Sequence, residues 1–135
     1  IDGRGNAVLT DLGLAKAVHT AGKSGLTSEG ATLGTPAYMA PELVQAARYA
    51  DIRADIYSLG ALAYHCLTGR PPFDGSNIYE FITAVLKEDP VPVGKRNPDV
   101  SPALSNIVTR MMEKDKESRY QTPEALLTAL ETLDD

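Results

Sequence analysis

The hydrophobic pattern changes character near residue 50. Before it, apolar positions come in short runs such as Ala7-Val8-Leu9, broken by IDGRGN and by HTAGKSGLTSEGATLGTP. Gly, Ser and Thr at that density specify turns, loops and short strands. From about residue 51 onward the apolar positions recur at helical spacing, and each run carries its own start and stop residues. Asp51 is placed to cap a helix through RADIYSLGALAYHCL that stops at Gly69, with Pro71 and Pro72 just beyond. Asn77, with Glu80 three residues later, offers a capping box for IYEFITAVLKE, and Pro90 and Pro92 end that run. Ser101-Pro102 opens a third helix through Leu104, Ile107, Val108, Met111 and Met112, and Thr122-Pro123 opens a fourth through Leu126, Leu127, Leu130 and Leu133. These methionines and leucines are expected to be core.

The first of these helices has apolar or small residues on nearly every side between Ile56 and Leu67. A helix of that kind is normally buried all round. The three later helices each have a polar face to keep in water, so they cannot enclose it. The sequence therefore predicts a mainly α assembly whose central helix keeps an uncovered apolar surface.

Composition narrows the function classes. At 135 residues, 43% hydrophobic and 23% charged, the chain has the make-up of an ordinary globular domain or a piece of one. No apolar run approaches the roughly 18 residues needed to span a bilayer. A net charge of −5 without a Lys/Arg cluster argues against nucleic-acid binding. The single cysteine, Cys66, excludes an internal disulfide and suits a cytoplasmic location, and His19 and His65 lack the partners for a zinc site. The chain starts at Ile1 with no signal-like segment, and reads as part of something longer.

The chemistry-bearing residues bracket a loop. Asp11-Leu12-Gly13 places a carboxylate after a short apolar run, with a glycine turn behind it, and carboxylate oxygen suits a hard cation such as Mg²⁺. Further on lies GTPAYMAPE, residues 34 to 42. Ser24, Thr27, Ser28 and Thr32 fall between the two in a glycine-rich stretch.

Taken together, Asp11-Leu12-Gly13, Ala40-Pro41-Glu42, Asp55-Ile56-Tyr57-Ser58-Leu59-Gly60 and Arg119 in DKESRYQT resemble, in order and spacing, the C-terminal lobe of a serine/threonine protein kinase, in style a bacterial one. The resemblance implies a short β-hairpin over about 1 to 13, an activation segment over 14 to 42, and a helical lobe from 43 to 135. It implies that Asp11 ligates Mg²⁺ bridging the phosphates of ATP, that Leu12 packs inward with Gly13 as the turn, and that Thr35 positions a protein substrate with Ser or Thr as acceptor. It pairs Glu42 with Arg119 as a structural anchor. It has Asp55 accept backbone N–H groups of the catalytic loop, and makes Thr27, Ser28 and Thr32 candidate phosphorylation sites. Cys66 falls where the family carries an internal apolar residue, so an inert core thiol is expected. His65 falls where some family members carry a glutamate that reads a substrate arginine, so that acidic contact is expected to be missing.

The same resemblance implies a glycine-rich lid, a strand lysine with its helix glutamate, a catalytic Asp and a second metal-binding Asn, and none of these has a counterpart before Asp11. The 135 residues alone are therefore expected not to catalyse phosphoryl transfer, and to self-associate through the uncovered apolar helix. The alternative from another class is a kinase-like binding or scaffold module. Asp11, for which a scaffold has no chemical use, favours the enzyme.

Overall fold

Helix boundaries follow the capping chemistry. The computed structural model describes residues 3–5 and 36–133. The chain divides into two units, Ile1–Thr32 and Leu33–Asp135. Of the first, the described residues form a turn at 3–5, with Gly5 at φ 85°. The expected hairpin, the Asp-Leu-Gly turn and most of the activation segment lie outside the described residues.

In the second unit the described residues form six α-helices: α1 (Pro41–Gln45), α2 (Ile52–Thr68), α3 (Ile78–Lys87), α4 (Val93–Arg96), α5 (Pro102–Met111) and α6 (Pro123–Glu131). Short 3-10 turns cover Pro36–Tyr38, Ala47–Tyr49 and Lys116–Ser118. Among the described residues there is no strand. The four long helices start where their caps predict. The side chains of Asp51, Asn77, Ser101 and Thr122 accept from the backbone N–H of Arg53, Glu80, Leu104 and Ala125. Gly69 ends α2 in the left-handed conformation at φ 69°, and its N–H donates to the carbonyl of His65. At α3 the reciprocal half of the capping box shifts by one residue, because Glu80 accepts from the N–H of Ser76, one residue before the cap, at 2.9 Å. That bond holds the Glu80 carboxyl below its usual range.

Two of the six helices were not expected. α1 lies within a stretch read as loop, and α4 fills the proline-bounded connection after α3. Both are too short to carry a periodic apolar pattern.

α2 is the axis of the unit. Ala54, Tyr57, Ala61 and Tyr64 join Ala40, Phe73, Phe81, Ala84, Val85, Val93, Val108 and Met112 in the larger core cluster. From another side of α2, Ile56 joins Ile107, Met111, Tyr120 and Leu126 in a smaller one. α5 crosses α2 closely at Gly60. A Cβ there would stand 2.7 Å from the Met111 Cβ and 3.1 Å from the Met112 Cγ, so only glycine permits this approach.

A third side of α2 is open. Ile52, Asp55, Leu59, Leu62 and Cys66 recur at intervals of three and four and are exposed, Leu59 at 48% and Leu62 at 46%. The uncovered apolar stripe expected from sequence is present. Cys66, however, lies on it, so the expectation of a core thiol is corrected. The leucines of α6 also divide. Leu126 is buried and Leu133 packs against the smaller cluster, whereas Leu127 is 56% exposed and Leu130 is exposed. Only one narrow stripe of α6 faces a neighbour.

Candidate functional site

The segment around Ala40-Pro41-Glu42 is shaped by a 3-10 turn at Pro36–Tyr38 and by the start of α1, where Pro41 stands at the first helical position. Ala40 is fully buried, and its carbonyl accepts from the N–H of Leu43 and Val44. This fixes the direction of Glu42, whose carboxylate points at Arg119. The Asp115 side chain caps the 3-10 turn Lys116–Ser118 by accepting from the Glu117 N–H, and Arg119 follows directly.

Arg119 is 0% exposed and uses all three guanidinium nitrogens. Nη1 and Nη2 donate to the two carboxylate oxygens of Glu42 at 2.7 and 2.9 Å. Nη1 also donates to the Arg53 carbonyl at 2.9 Å, Nη2 to the Lys114 carbonyl at 3.2 Å, and Nε to the Glu113 carbonyl at 2.7 Å. A bidentate Arg–carboxylate pair is the strongest form of charge-assisted hydrogen bond. Here every N–H direction that burial strips of water is answered by an oxygen, the condition for burying a charge without a net penalty.

The guanidinium carbon also lies 4.9 Å from the centre of the Tyr57 ring. Tyr57 is 1% exposed, and its hydroxyl is the one buried side-chain oxygen or nitrogen without a partner among the described residues. Burial pushes the phenol well above its usual range, an effect that the positive charge of Arg119 partly opposes.

A second tether holds the same segment further back. The hydroxyl of Tyr38 lies 2.7 Å from Nδ1 of His65 in the last turn of α2, with ring centroids 6.0 Å apart. On the outer side, Arg53 and Lys116 close on Asp51 at 2.9 Å each, Arg53 reaches Glu117 at 2.9 Å, and together they tie the start of α2 to the Lys116–Ser118 turn. The Arg53 guanidinium holds the Asp51 carboxyl well below the usual carboxylate range. Lys114 turns inward, donating to the Val85 carbonyl at 2.6 Å with its ammonium 4.0 Å from the Phe73 ring centre. Burial lowers its pKa to about 8, although Asp89 opposes the shift.

The sequence compares as follows. A protein kinase domain profile matches residues 1–129. The chain belongs to the protein kinase domain family. The serine/threonine-protein kinase PknB of Mycolicibacterium smegmatis is 39% identical over 120 residues, covering 88% of this chain and 19% of that protein. PknB of Mycobacterium tuberculosis is 38% identical over 118 residues, covering 87% and 18%. The serine/threonine-protein kinase pkn2 of Myxococcus xanthus is 37% identical over 126 residues, covering 92% and 15%. The chain thus spans less than a fifth of the length of these relatives.

Of the kinase motif residues anticipated from sequence, the structure brings two together, Glu42 and Arg119. Asp55 is exposed on the open side of α2 and makes no hydrogen bond or ion pair among the described residues. Asp11, Leu12, Gly13, Thr27, Ser28, Thr32 and Thr35 lie outside the described residues. Among the described residues no cluster of His, Cys, Asp or Glu could hold a metal, and no helix is long and apolar enough to cross a membrane. Sequence reasoning missed the Tyr38–His65 bond, since two polar residues 27 apart in a loop and a helix share no local signal. It also missed the three backbone carbonyls that complete the shell around Arg119.

Proposed function

We propose that this chain forms part of a serine/threonine protein kinase that transfers the γ-phosphate of ATP to Ser or Thr hydroxyls of protein substrates. Family membership supports the reading. The observation that carries it is the bidentate Arg119–Glu42 bond, because an Ala-Pro-Glu segment clamped from below is a platform for substrate held at fixed height. In this reading Thr35, next in sequence to the 3-10 turn, positions the acceptor hydroxyl. Asp11 would hold Mg²⁺ against the ATP phosphates, where the ion supplies neutralisation of the charge that develops at the departing phosphoryl group. Leu12 and Gly13 set the aim of Asp11. Asp55, exposed beside the apolar stripe of α2, would brace the catalytic loop through backbone N–H groups, and Thr27, Ser28 and Thr32 are its candidate phosphorylation sites.

The domain reading is a proposal of the same standing: short strands and metal turn over 1 to 13, activation segment over 14 to 42, helical lobe over 43 to 135. By themselves the 135 residues are proposed to be inactive, as no residue in them supplies the catalytic base, and to self-associate through Leu59 and Leu62.

The test uses the longest chain that the parent gene encodes. Labelled phosphate should pass from ATP to a protein substrate, and Asp11→Asn should abolish transfer while leaving the melting temperature in place. Transfer by Asp11→Asn at the wild-type rate would refute the assignment.

A further inference from the structure

We propose that Lys114 is a covalent modification site, an amine nucleophile that takes an acyl group from a small acyl phosphate entering the cleft between α1 and the segment after α5. The inference is independent of the kinase reading, and its readout needs no phosphoryl transfer. The cleft holds about 290 Å³ and is lined by Pro41 and Gln45 of α1, by Tyr49, and by Lys114 and Lys116. A space of that size sits at the small end of ligand sites, so it suits a donor of few heavy atoms rather than one the size of a coenzyme.

The two lysines of the cleft are held differently. Lys116 Nζ lies 2.9 Å from the Asp51 carboxylate and donates to the Tyr49 carbonyl at 3.3 Å, so its charge is answered. Lys114 is half-buried and forms no ion pair among the described residues. An ammonium carries three N–H donors. One of them goes to the Val85 carbonyl in the last turn of α3 at 2.6 Å, the Phe73 ring centre lies 4.0 Å from Nζ, and no other described residue accepts from it. Surroundings that answer one donor in three favour the uncharged amine. Burial lowers the pKa of Lys114 to about 8, opposed by Asp89 and Glu88 and assisted by Arg119. The other charged groups of the cleft are committed, Glu42 to Arg119 and Asp115 to the Glu117 N–H. Near pH 7 roughly a tenth of Lys114 then carries a free lone pair, against less than about a thousandth for an ordinary lysine.

The step needs no oxidant or reductant. The Nζ lone pair attacks the acyl carbon, a C–N bond forms, and the C–O bond to phosphate breaks. Phosphate leaves with that electron pair, and the proton shed by nitrogen passes to water.

The test treats the longest chain the gene encodes with acetyl phosphate and follows acetyl-lysine by peptide mass spectrometry as pH is raised from about 6.5 to 9.5. At about pH 7.5, Lys114 should be acetylated roughly tenfold faster than the exposed Lys87 and Lys95, because its gain in free amine exceeds its loss of intrinsic nucleophilicity. Its rate should level off above about pH 8 while theirs continue to rise. In urea, with the cleft gone, the preference should vanish. Gln45→Trp, a change at an exposed position that fills the cleft from α1, should slow the reaction of Lys114 and leave Lys87 and Lys95 as they were. Equal rates at the three lysines, a preference that survives urea, or an unchanged Lys114 rate in Gln45→Trp overturns the inference.

Discussion

Arg119 and Glu42, 77 residues apart in sequence, meet through two parallel hydrogen bonds, the arginine fully buried and the glutamate largely so. The pair's value lies in what happens when one member is missing. Glu42→Ala would strand a guanidinium whose carbonyl partners carry no formal charge. Arg119→Ala would strand a carboxylate and leave the carbonyls of Arg53, Glu113 and Lys114 each short of a donor. Either change is expected to destabilise the unit by about 3–5 kcal/mol. Urea denaturation of both single variants and the double variant checks this, and the double should lose markedly less than the sum of the singles.

Tyr57→Phe should act in the opposite direction. The substitution deletes a buried hydroxyl that has no partner and keeps the ring that lies against Arg119. Removing an unsatisfied buried polar atom while preserving packing is expected to gain about 1 kcal/mol. A loss of that size in chemical denaturation would mean that the hydroxyl has a partner after all.

Gly60→Ala sets helix propensity against packing. Alanine inside a helix gains about 1 kcal/mol over glycine. The new methyl would stand 2.7 Å from the Met111 Cβ, an atom close to the backbone that cannot swing aside. Overpacking of that kind costs about 1–3 kcal/mol, so a net loss is expected. Met111→Gly, which removes that Cβ, should suffer less from Gly60→Ala than the wild type does, in thermal melts of the four chains.

Lys114 gives stability a pH dependence with a definite sign. Burial lowers its folded pKa from 10.5 to about 8, so between those values the unfolded chain binds more protons than the folded one. Stability therefore rises as pH rises through that window. Partial exposure discounts the effect, and an increase of about 1 kcal/mol between pH 7.5 and 9.5 is expected. Lys114→Met should flatten the profile. Equal slopes in the two proteins would show that the ammonium loses nothing by burial.

The exposed stripe on α2 should bind an apolar reporter dye. Leu59→Glu combined with Leu62→Glu is expected to reduce dye fluorescence and any concentration-dependent association seen by sedimentation, leaving helix content unchanged. Retained association would place the contact elsewhere.

The helix ends were legible because capping is local chemistry. Asp51, Asn77, Ser101 and Thr122 each bond within three residues, and Gly69 adopts the conformation that its missing side chain allows. α1 and α4 were not legible, since five and four residues do not establish a period. Leu127 was misplaced for a related reason: spacing locates the middle of an apolar stripe and says little about its width. The Glu42–Arg119 pair could be anticipated only through resemblance to a family, as no pattern in one sequence links positions so far apart. The carbonyls around Arg119 were beyond reach altogether, because every residue type offers the same backbone oxygen.

The shell around Arg119 also has a place in time. It draws on Glu42, Arg53, Glu113 and Lys114, so the early partners leave the ribosome long before the arginine that joins them. At ordinary rates of synthesis, the 77 residues that separate Glu42 from Arg119 take roughly 4 to 15 seconds to appear. Throughout that interval the Ala-Pro-Glu segment lacks the arginine that closes on it in the folded unit. Its final shape waits until synthesis has reached Arg119, just ahead of α6.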